Sequence, residues 1–215
     1  MLDREKLQGE TVKTAPDVGT GIIVSPDTRR ASRLPPNQAR TRKWPVLDAH
    51  GPPPIDLSTW TLGVSGLVKT DLTFDWSQFQ KLPRVKVFAD MHCVTRWSRL
   101  GNVWEGVAAT EILRRAEALP EARFVVVHGY DYGFTTNLPL EAFQAEDVLL
   151  ADTHDGEPIP TEHGGPLRLV VPRLYAWKSA KWVKRIELVS EDEPGYWERA
   201  GYHDVGDPWK EERFR

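Results

Sequence analysis

The sequence predicts a β-rich α+β domain in which short helices connect mixed sheets. Three observations support this prediction. The chain has 17 prolines in 215 residues, and proline interrupts long helices and favours loops and strand edges. It has nine tryptophans, which bury large areas and need partners for their N–H groups. Residues 85–93 place an apolar side chain at every second position, which is the period of a strand.

The elements follow from local patterns. The predicted strands cover residues 60–68, 84–94, 124–127, 167–171 and 182–189. Asp75 and Gln78 resemble a capping box that begins a short helix, and Pro83 ends it. A helix is expected over residues 110–119 with Thr110 as its N-cap, and one helical turn over residues 138–143. Residues 1–29 are polar and are predicted to form an extended arm, followed by a single domain over residues 30–215.

Composition excludes several classes of function. A formal net charge of −3 gives no reason to expect nucleic acid as a partner. No apolar run reaches the roughly 20 residues that span a bilayer, so no membrane insertion is expected. The N-terminus lacks the apolar core of a signal peptide, so the expected location is cytoplasmic. A single cysteine excludes an intramolecular disulfide and any multi-cysteine metal site.

Positive charge is concentrated in two distant stretches without acidic residues. Each holds six basic side chains: Arg29, Arg30, Arg33, Arg40, Arg42 and Lys43 in the first; Arg168, Arg173, Lys178, Lys181, Lys184 and Arg185 in the second. The two stretches either converge on one anionic ligand or form two solvated faces, and charge alone does not decide between them.

Cys93, the only cysteine, has two interpretations. The apolar alternation of its strand favours a packed core residue, because free cysteine is among the most buried residue types. Residues 94–98, however, look like a loop that leaves the strand, so the thiolate could be presented at the strand end, with Arg96 and Arg99 as electropositive neighbours. The strand pattern alone leaves both possibilities open.

Common enzyme signatures are missing. The six histidines show no metal-ligand spacing, and His92 and Cys93 face opposite sides of a regular strand, which argues against a zinc enzyme. No phosphate-binding glycine loop and no serine-hydrolase elbow is present.

A loop between residues 172 and 182 has the composition of a phosphate site. Lys178 and Lys181 are three residues apart, with Ser179 between them, which suits a tight loop that offers ammonium, hydroxyl and backbone N–H groups. Both lysines could equally flank a strand and point to water.

A longer pattern resembles the molybdopterin-binding core of the sulfite oxidase family. Its parts are G-E-P-I-P at 156–160, H-G-G-P-L-R at 163–168, V-V-P at 170–172 and K-W-V at 181–183. Upstream lie H-C-V-T-R-W at 92–97, W-E-G-V at 104–107 and Y-G-F-T-T-N-L-P-L at 132–140. The match is ordered and covers roughly residues 30–205, so the resemblance implies the sulfite oxidase fold, with molybdenum and molybdopterin as cofactors.

The resemblance also implies site residues. Cys93 corresponds to the thiolate ligand of molybdenum. The implied cofactor contacts are Asn37, Gln38, His163, Arg168, Lys178, Ser179 and Lys181. Tyr202 falls where sulfite oxidases keep a tyrosine beside the metal, and Arg96 is a candidate for binding the substrate or the transferred oxygen.

The sequence departs from animal sulfite oxidases, which have an arginine pair shortly after the cysteine, whereas residues 94–98 contain Arg96 alone. The chain therefore looks like the minimal bacterial members and is similar to the catalytic subunit of methionine-sulfoxide reductase. The implied function is two-electron oxygen-atom transfer on a small molecule, in either direction, with a separate electron-transfer protein as partner. Two alternatives remain: a cofactor-binding module without turnover, and a metal-free enzyme that uses Cys93.

Overall fold

Two mixed β-sheets contain the strands of a computed structural model that describes residues 12–14 and 20–215. The strands are β1 Ile23–Val24, β2 Ala39–Arg40, β3 Thr61–Gly66, β4 Leu72–Asp75, β5 Val85–His92, β6 Trp97–Ala108, β7 Phe124–Gly129, β8 Thr135–Pro139, β9 Leu149–His154, β10 Glu157–Pro158, β11 Arg168–Val170 and β12 Val183–Val189. The helices are α1 Trp76–Gln80, α2 Ala109–Ala116, α3 Leu140–Phe143 and α4 Tyr196–Arg199. Short 3₁₀ turns cover Pro26–Arg29, Thr161–His163, Ala176–Lys178 and Pro208–Lys210. The α+β class with short helices is confirmed.

The first sheet has seven strands in the described part. Its main path is β1-β5-β6-β9-β10, with β2 beside β6 and β11 beside β9. β5 and β6 form an antiparallel hairpin, while β1 and β2 join it in parallel. The second sheet has the order β4-β3-β12-β7-β8, in which only the β3–β12 pair is parallel.

The larger core contains residues from both sheets and from α2, because β9 and β11 bury both of their faces. Leu150 and Leu169 belong to the core shared with the second sheet. Their neighbours Leu149 and Val170 pack in a second cluster with Cys93, as expected when successive side chains alternate across a strand. The second cluster therefore places Cys93 beside the first sheet, on the face away from the main core.

The helices confirm one cap and correct another. Asp75 accepts a hydrogen bond from Gln78 N at 2.8 Å, and Gln78 Oε1 accepts one from Asp75 N at 2.9 Å, so the capping box of α1 is confirmed. The N-cap assigned to Thr110 is wrong: α2 begins at Ala109 and has no side-chain cap. Within α2, Leu113 is nine-tenths buried and Ile112 is fully buried.

The other predicted elements differ mainly at their ends. The strand predicted over 84–94 is β5, which ends at His92, and Cys93 follows it directly. The helical turn predicted over 138–143 is α3. It begins two residues later than predicted, because residues 135–139 belong to β8. Residues 1–11 and 15–19 of the predicted arm lie outside the described residues, and the later part contains β1, paired with β5. No helix in the described ranges is long and apolar enough to cross a membrane.

Candidate functional site

Cys93 lies in a tight turn between β5 and β6. Its N–H donates to Trp97 O at 2.9 Å, and its carbonyl oxygen accepts from Arg96 N at 3.0 Å and from Gln38 Nε2 at 3.0 Å. Thr95 Oγ1 donates to the Cys93 sulfur at 3.2 Å. Arg96 completes the turn with a positive φ of 71°. The turn therefore fixes the thiol by hydrogen bonds on both its backbone and its sulfur.

The thiol is 7% exposed, and burial raises its pKa, an effect that the Thr95 hydrogen bond and the charge of Arg213 partly oppose. Arg99, which the sequence offered as an electropositive neighbour, instead contacts Asn102, His154 and Asp155. A raised pKa disfavours a metal-free nucleophile, which needs its thiolate at neutral pH. A metal ligand has no such requirement, because a bound metal deprotonates the thiol.

A cleft with a volume of about 200 Å³ opens beside this turn. Six of the predicted site residues line it: Cys93, His163, Arg168, Ser179, Lys181 and Tyr202. They come from the β5–β6 turn, from the segment around β11 and from the turn after α4, so the fold brings together residues that are far apart in the sequence.

One part of the cleft, here called the polar end, is formed by Asp48, Asp131, His163, Arg168 and Lys181. Arg168 is 3% exposed and donates to the carbonyl oxygens of His163, at 2.7 Å, and Ser179, at 3.2 Å. Burial lowers the pKa of its guanidinium to about 9. Burial, followed by the charge of Arg168, lowers the pKa of His163 to about 4. Lys181 donates to Glu162 O at 2.9 Å and lies 3.4 Å from Asp48 Oδ2.

Another part of the lining, here called the aromatic end, is formed by Cys93, Thr95, Trp177, Trp197 and Tyr202. The ring of Tyr202 lies 5.2 Å from Trp177 at 82° and 5.1 Å from Trp197 at 40°. Burial raises the pKa of Tyr202, and the charge of the neighbouring Cys93 raises it further. Tyr202 and Cys93 therefore line the same part of the cleft.

Four predicted site residues do not line the cleft. Lys178 is fully buried behind it, where its ammonium contacts Glu198 at 2.6 Å and the backbone and side-chain oxygens of Asn137. Asn37 Nδ2 donates to Glu211 Oε1 at 2.7 Å on the surface. Gln38 supports the Cys93 carbonyl from behind, and Arg96 is exposed outside the cleft.

The two basic stretches match neither expectation, convergence on one anionic ligand or two solvated faces. From the second stretch, Arg168 and Lys181 reach the cleft, whereas Arg173 pairs with the buried Asp147 at 3.1 Å. From the first stretch, Arg33 pairs with the buried Asp90, and no basic residue lines the cleft. The stretches therefore do not converge on one ligand.

Sequence reasoning missed Trp44, Asp48 and Asp131, which line the cleft around the polar end. Trp44 stacks on His163 with ring centroids 3.8 Å apart and lies 5.4 Å beneath the Arg168 guanidinium. Asp48 contacts Lys181, and burial raises the pKa of Asp131 to about 6. Of the three, only Trp44 had a signal in the sequence. It lies in a proline-rich stretch without regular structure, and an apolar ring in an extended segment needs a surface to cover.

The cleft suits a ligand with an anionic group and polar ring edges. Arg168 is a buried cation for which the described residues supply carbonyl oxygens but no carboxylate, so its charge lacks a counter-ion. Asp131 Oδ1 and Trp97 Nε1, both in the lining, are buried without a hydrogen-bond partner. Among the described residues, no three His, Cys, Asp or Glu side chains come together as a metal site, so a metal at Cys93 needs ligands that a cofactor brings. These features fit a phosphorylated dithiolene pterin.

Comparisons with known proteins point the same way. Residues 50–197 match the family model described as the oxidoreductase molybdopterin binding domain. The chain is 48% identical to an uncharacterized oxidoreductase, YuiH, of Bacillus subtilis over 86% of this chain and 93% of that protein. It is 29% identical to MsrP, the catalytic subunit of a protein-methionine-sulfoxide reductase of Gluconobacter oxydans, over 68% of this chain and 52% of MsrP.

A solved structure shares the fold. The sulfane dehydrogenase SoxCD of Paracoccus pantotrophus matches with a TM-score of 0.61 and 25% identity, over 66% of this chain and 41% of that one. The chain thus spans nearly all of YuiH but only about half of MsrP and less than half of the SoxCD chain.

Proposed function

Because the chain belongs to the family of molybdopterin-binding oxidoreductases of the sulfite oxidase type, we propose that the cleft beside Cys93 transfers an oxygen atom to or from a small substrate. The observation that carries this proposal is the convergence of the only cysteine with Arg168, His163 and Lys181 on one cleft. A soft sulfur donor and a cationic polar end are what a molybdenum atom and a phosphorylated pterin require.

Cys93 would hold the metal. A thiolate is a soft ligand, and its position is fixed by the Gln38, Arg96 and Thr95 hydrogen bonds around it. When bound, the molybdenum cofactor supplies the two-electron exchange that accompanies oxygen-atom transfer. The protein keeps the thiol buried at 7% exposure, which limits competing oxidation of the sulfur.

The polar end would hold the pterin and its phosphate. The Arg168 guanidinium gains an anionic partner, and Lys181 adds a second positive charge. Ser179 keeps its side chain at the end of β11, where Oγ accepts from Val171 N at 2.9 Å, and its backbone anchors Arg168. The orphaned Asp131 Oδ1 can accept from a pterin N–H group.

The aromatic end would receive the substrate. Tyr202 lies beside Cys93, and its phenol can donate a hydrogen bond to the transferred oxygen. Arg96, exposed on the loop after Cys93, would contact only a substrate that extends out of the cleft.

Electrons would come from or go to a separate redox protein. This proposal agrees with MsrP being named a catalytic subunit, a term that implies a second component in that enzyme. We further propose a cytoplasmic location, which fractionation of cells that produce the full chain would test.

The decisive experiment measures molybdenum and pterin in protein purified from a host that makes the cofactor. We expect about one of each per chain, and loss of both in Cys93→Ser while the circular dichroism spectrum is unchanged. The matched control is Ser58→Ala in an exposed turn, which should keep both. Protein without molybdenum would contradict the proposal, and loaded protein that no oxidant or reductant turns over would instead indicate a non-catalytic binding module.

A further inference from the structure

A buried cation lies against the turn that holds Cys93. Arg213 is 8% exposed and does not line the cleft, and its Nη1 donates to the carbonyl oxygen of Val94, the residue after Cys93. Gln38 donates to the preceding carbonyl oxygen, that of Cys93, at 3.0 Å. Two side chains therefore hold successive carbonyl oxygens of the same turn, and one of the two is charged.

The segment 211–215, which carries this arginine, is fixed on both sides of it. Phe214 forms an antiparallel bridge with Tyr202, and the two rings lie 5.2 Å apart at 76°. Arg215 forms an ion pair with Asp204. The segment thus pairs with residues that directly follow α4, and this pairing places the guanidinium on the cysteine turn.

The charge of Arg213 is poorly compensated within the described residues. The Glu211 carboxylate lies 3.8 Å from Arg213 Nε, but it is 37% exposed and accepts a hydrogen bond from Asn37 at 2.7 Å. Arg213 Nε and Nη2 are buried without a hydrogen-bond partner. The ring of Tyr175 lies 5.0 Å from the guanidinium carbon, a contact that attracts a cation without neutralising it. Burying a cation in this way is costly unless an anion lies nearby.

The thiolate of Cys93 is the anion that this arrangement can serve. The charge of Arg213 acts on the Cys93 sulfur and lowers its pKa, against the larger opposing effect of burial. A bound metal deprotonates a thiol outright. Metal binding at Cys93 would therefore create negative charge within the field of Arg213.

On the basis of the proposed function, we infer that Arg213 is a positioning residue that holds the Cys93 turn and, through its charge, raises the reduction potential of the metal that the thiolate would bind. A positive charge beside the ligand favours the metal site with more electrons, as other groups around a ligand also shift the potential. Little water screens a cation that is 8% exposed. Arg213 lies outside residues 50–197, the part that matches the family model, so the match does not imply this role.

The test measures the midpoint potential of molybdenum in the loaded protein, by redox titration with the electron paramagnetic resonance signal of Mo(V) as the readout. Arg213→Met and Arg213→Gln both remove the charge, and glutamine keeps an N–H donor if the methionine variant loses molybdenum. We expect a lower midpoint potential in both variants, because the more reduced metal loses the charge that favours it. Arg213→Lys should return the potential toward the wild-type value, because its ammonium group keeps the charge.

Arg215→Met is the matched control. It removes a cation from the same segment, but one that is 49% exposed and paired with Asp204. Its midpoint potential should equal that of the wild type. Elemental analysis of every preparation gives the loaded fraction separately, so a change in molybdenum content is not mistaken for a change in potential.

Each outcome decides. Equal midpoint potentials in the wild type and the two uncharged variants would overturn the inference and leave the proposed function standing, because the proteins would still hold molybdenum. An equal fall in Arg215→Met would also overturn it, since the cause would then be displacement of the segment. If neither uncharged variant binds molybdenum, full loading of Arg213→Lys supports the role of the charge, and loss of molybdenum in all three variants contradicts it. Wild-type protein without molybdenum would contradict the proposed function itself, and the inference would fall with it.

Discussion

Lys178 Nζ lies 2.6 Å from Glu198 Oε1, and neither side chain is exposed to solvent. The same carboxylate oxygen accepts from Trp177 Nε1 at 2.9 Å, and the lysine also donates to both oxygens of Asn137. The pair thus joins β8, the 3₁₀ turn at Ala176–Lys178 and α4. It therefore holds the two elements that carry Trp177 and Trp197 of the aromatic end.

Lys178→Met should destabilise the protein strongly. Removing one partner leaves the Glu198 charge buried and unpaired, which costs about 3–5 kcal/mol. The double variant Lys178→Met, Glu198→Leu should recover most of this loss, because the uncompensated charge is gone. Urea unfolding of the cofactor-free protein measures both. Lys69→Met is the control, since Lys69 and Glu117 form an exposed pair 2.7 Å apart; an equally large effect there, or no recovery in the double variant, would contradict the role of burial.

Arg168→Met should lower the molybdenum and pterin content of the purified protein. Methionine keeps the length of the side chain but removes the charge and the donors at the polar end. Arg168→Lys should give an intermediate content, because an ammonium group keeps the charge without the planar set of donors. Elemental analysis and pterin fluorescence after oxidation are the measurements. Arg185→Met, on the exposed side of β12, is the control and should bind the cofactor fully. Full loading of Arg168→Met would rule out the cofactor contact.

Asp131→Asn should change the pH dependence of stability in the cofactor-free protein. Burial raises the pKa of Asp131 from 3.8 to about 6, so the folded state binds its proton more tightly than the unfolded chain. The associated stability is present below pH 3.8 and is lost as the pH rises through about 6. Asparagine stays neutral, so the variant should gain about 1–2 kcal/mol relative to the wild type between pH 4 and 7.5. Urea unfolding at these two pH values measures it, with the exposed Asp71→Asn as control; a pH-independent difference would contradict the assignment.

The sequence predicted the centre of the cleft better than its walls. Of the predicted residues that line the cleft, Cys93, His163, Arg168 and Lys181 lie within quoted motifs of the resemblance, whereas Ser179 and Tyr202 were assigned from their positions beside those motifs. Lys178 was grouped with Lys181 because the two lie three residues apart in one loop of the resemblance. Spacing cannot distinguish a lysine that faces the cleft from one that faces the protein interior, and the partners that decide this, Glu198 and Asn137, are distant in sequence.

The strands were predicted where alternation is regular and missed where it is not. β6 is the longest strand of the described residues, yet Gly101 and Gly106 interrupt its period of two. Gly106 is required by tertiary packing: a Cβ there would lie 2.0 Å from Leu150 O of the neighbouring strand. The register shift at Glu105/Gly106 follows from that close approach, which no local pattern reveals.

Gln38 and Asn37 are adjacent in the sequence but have different expected roles, which mutation separates. Gln38→Leu removes the donor to the Cys93 carbonyl and loosens the turn that holds the thiol. We expect a lower molybdenum content and, in the cofactor-free protein, severalfold faster alkylation of Cys93 by N-ethylmaleimide at a fixed pH, because the turn opens more often. Asn37→Ala removes a surface contact with Glu211 at a residue whose positive φ of 57° disfavours alanine, but it keeps the Gln38 donor to the Cys93 carbonyl and should change neither measurement. The reverse result, with molybdenum lost in Asn37→Ala and retained in Gln38→Leu, would mean that Asn37 contacts the pterin as the resemblance implied and that the turn needs no support from Gln38.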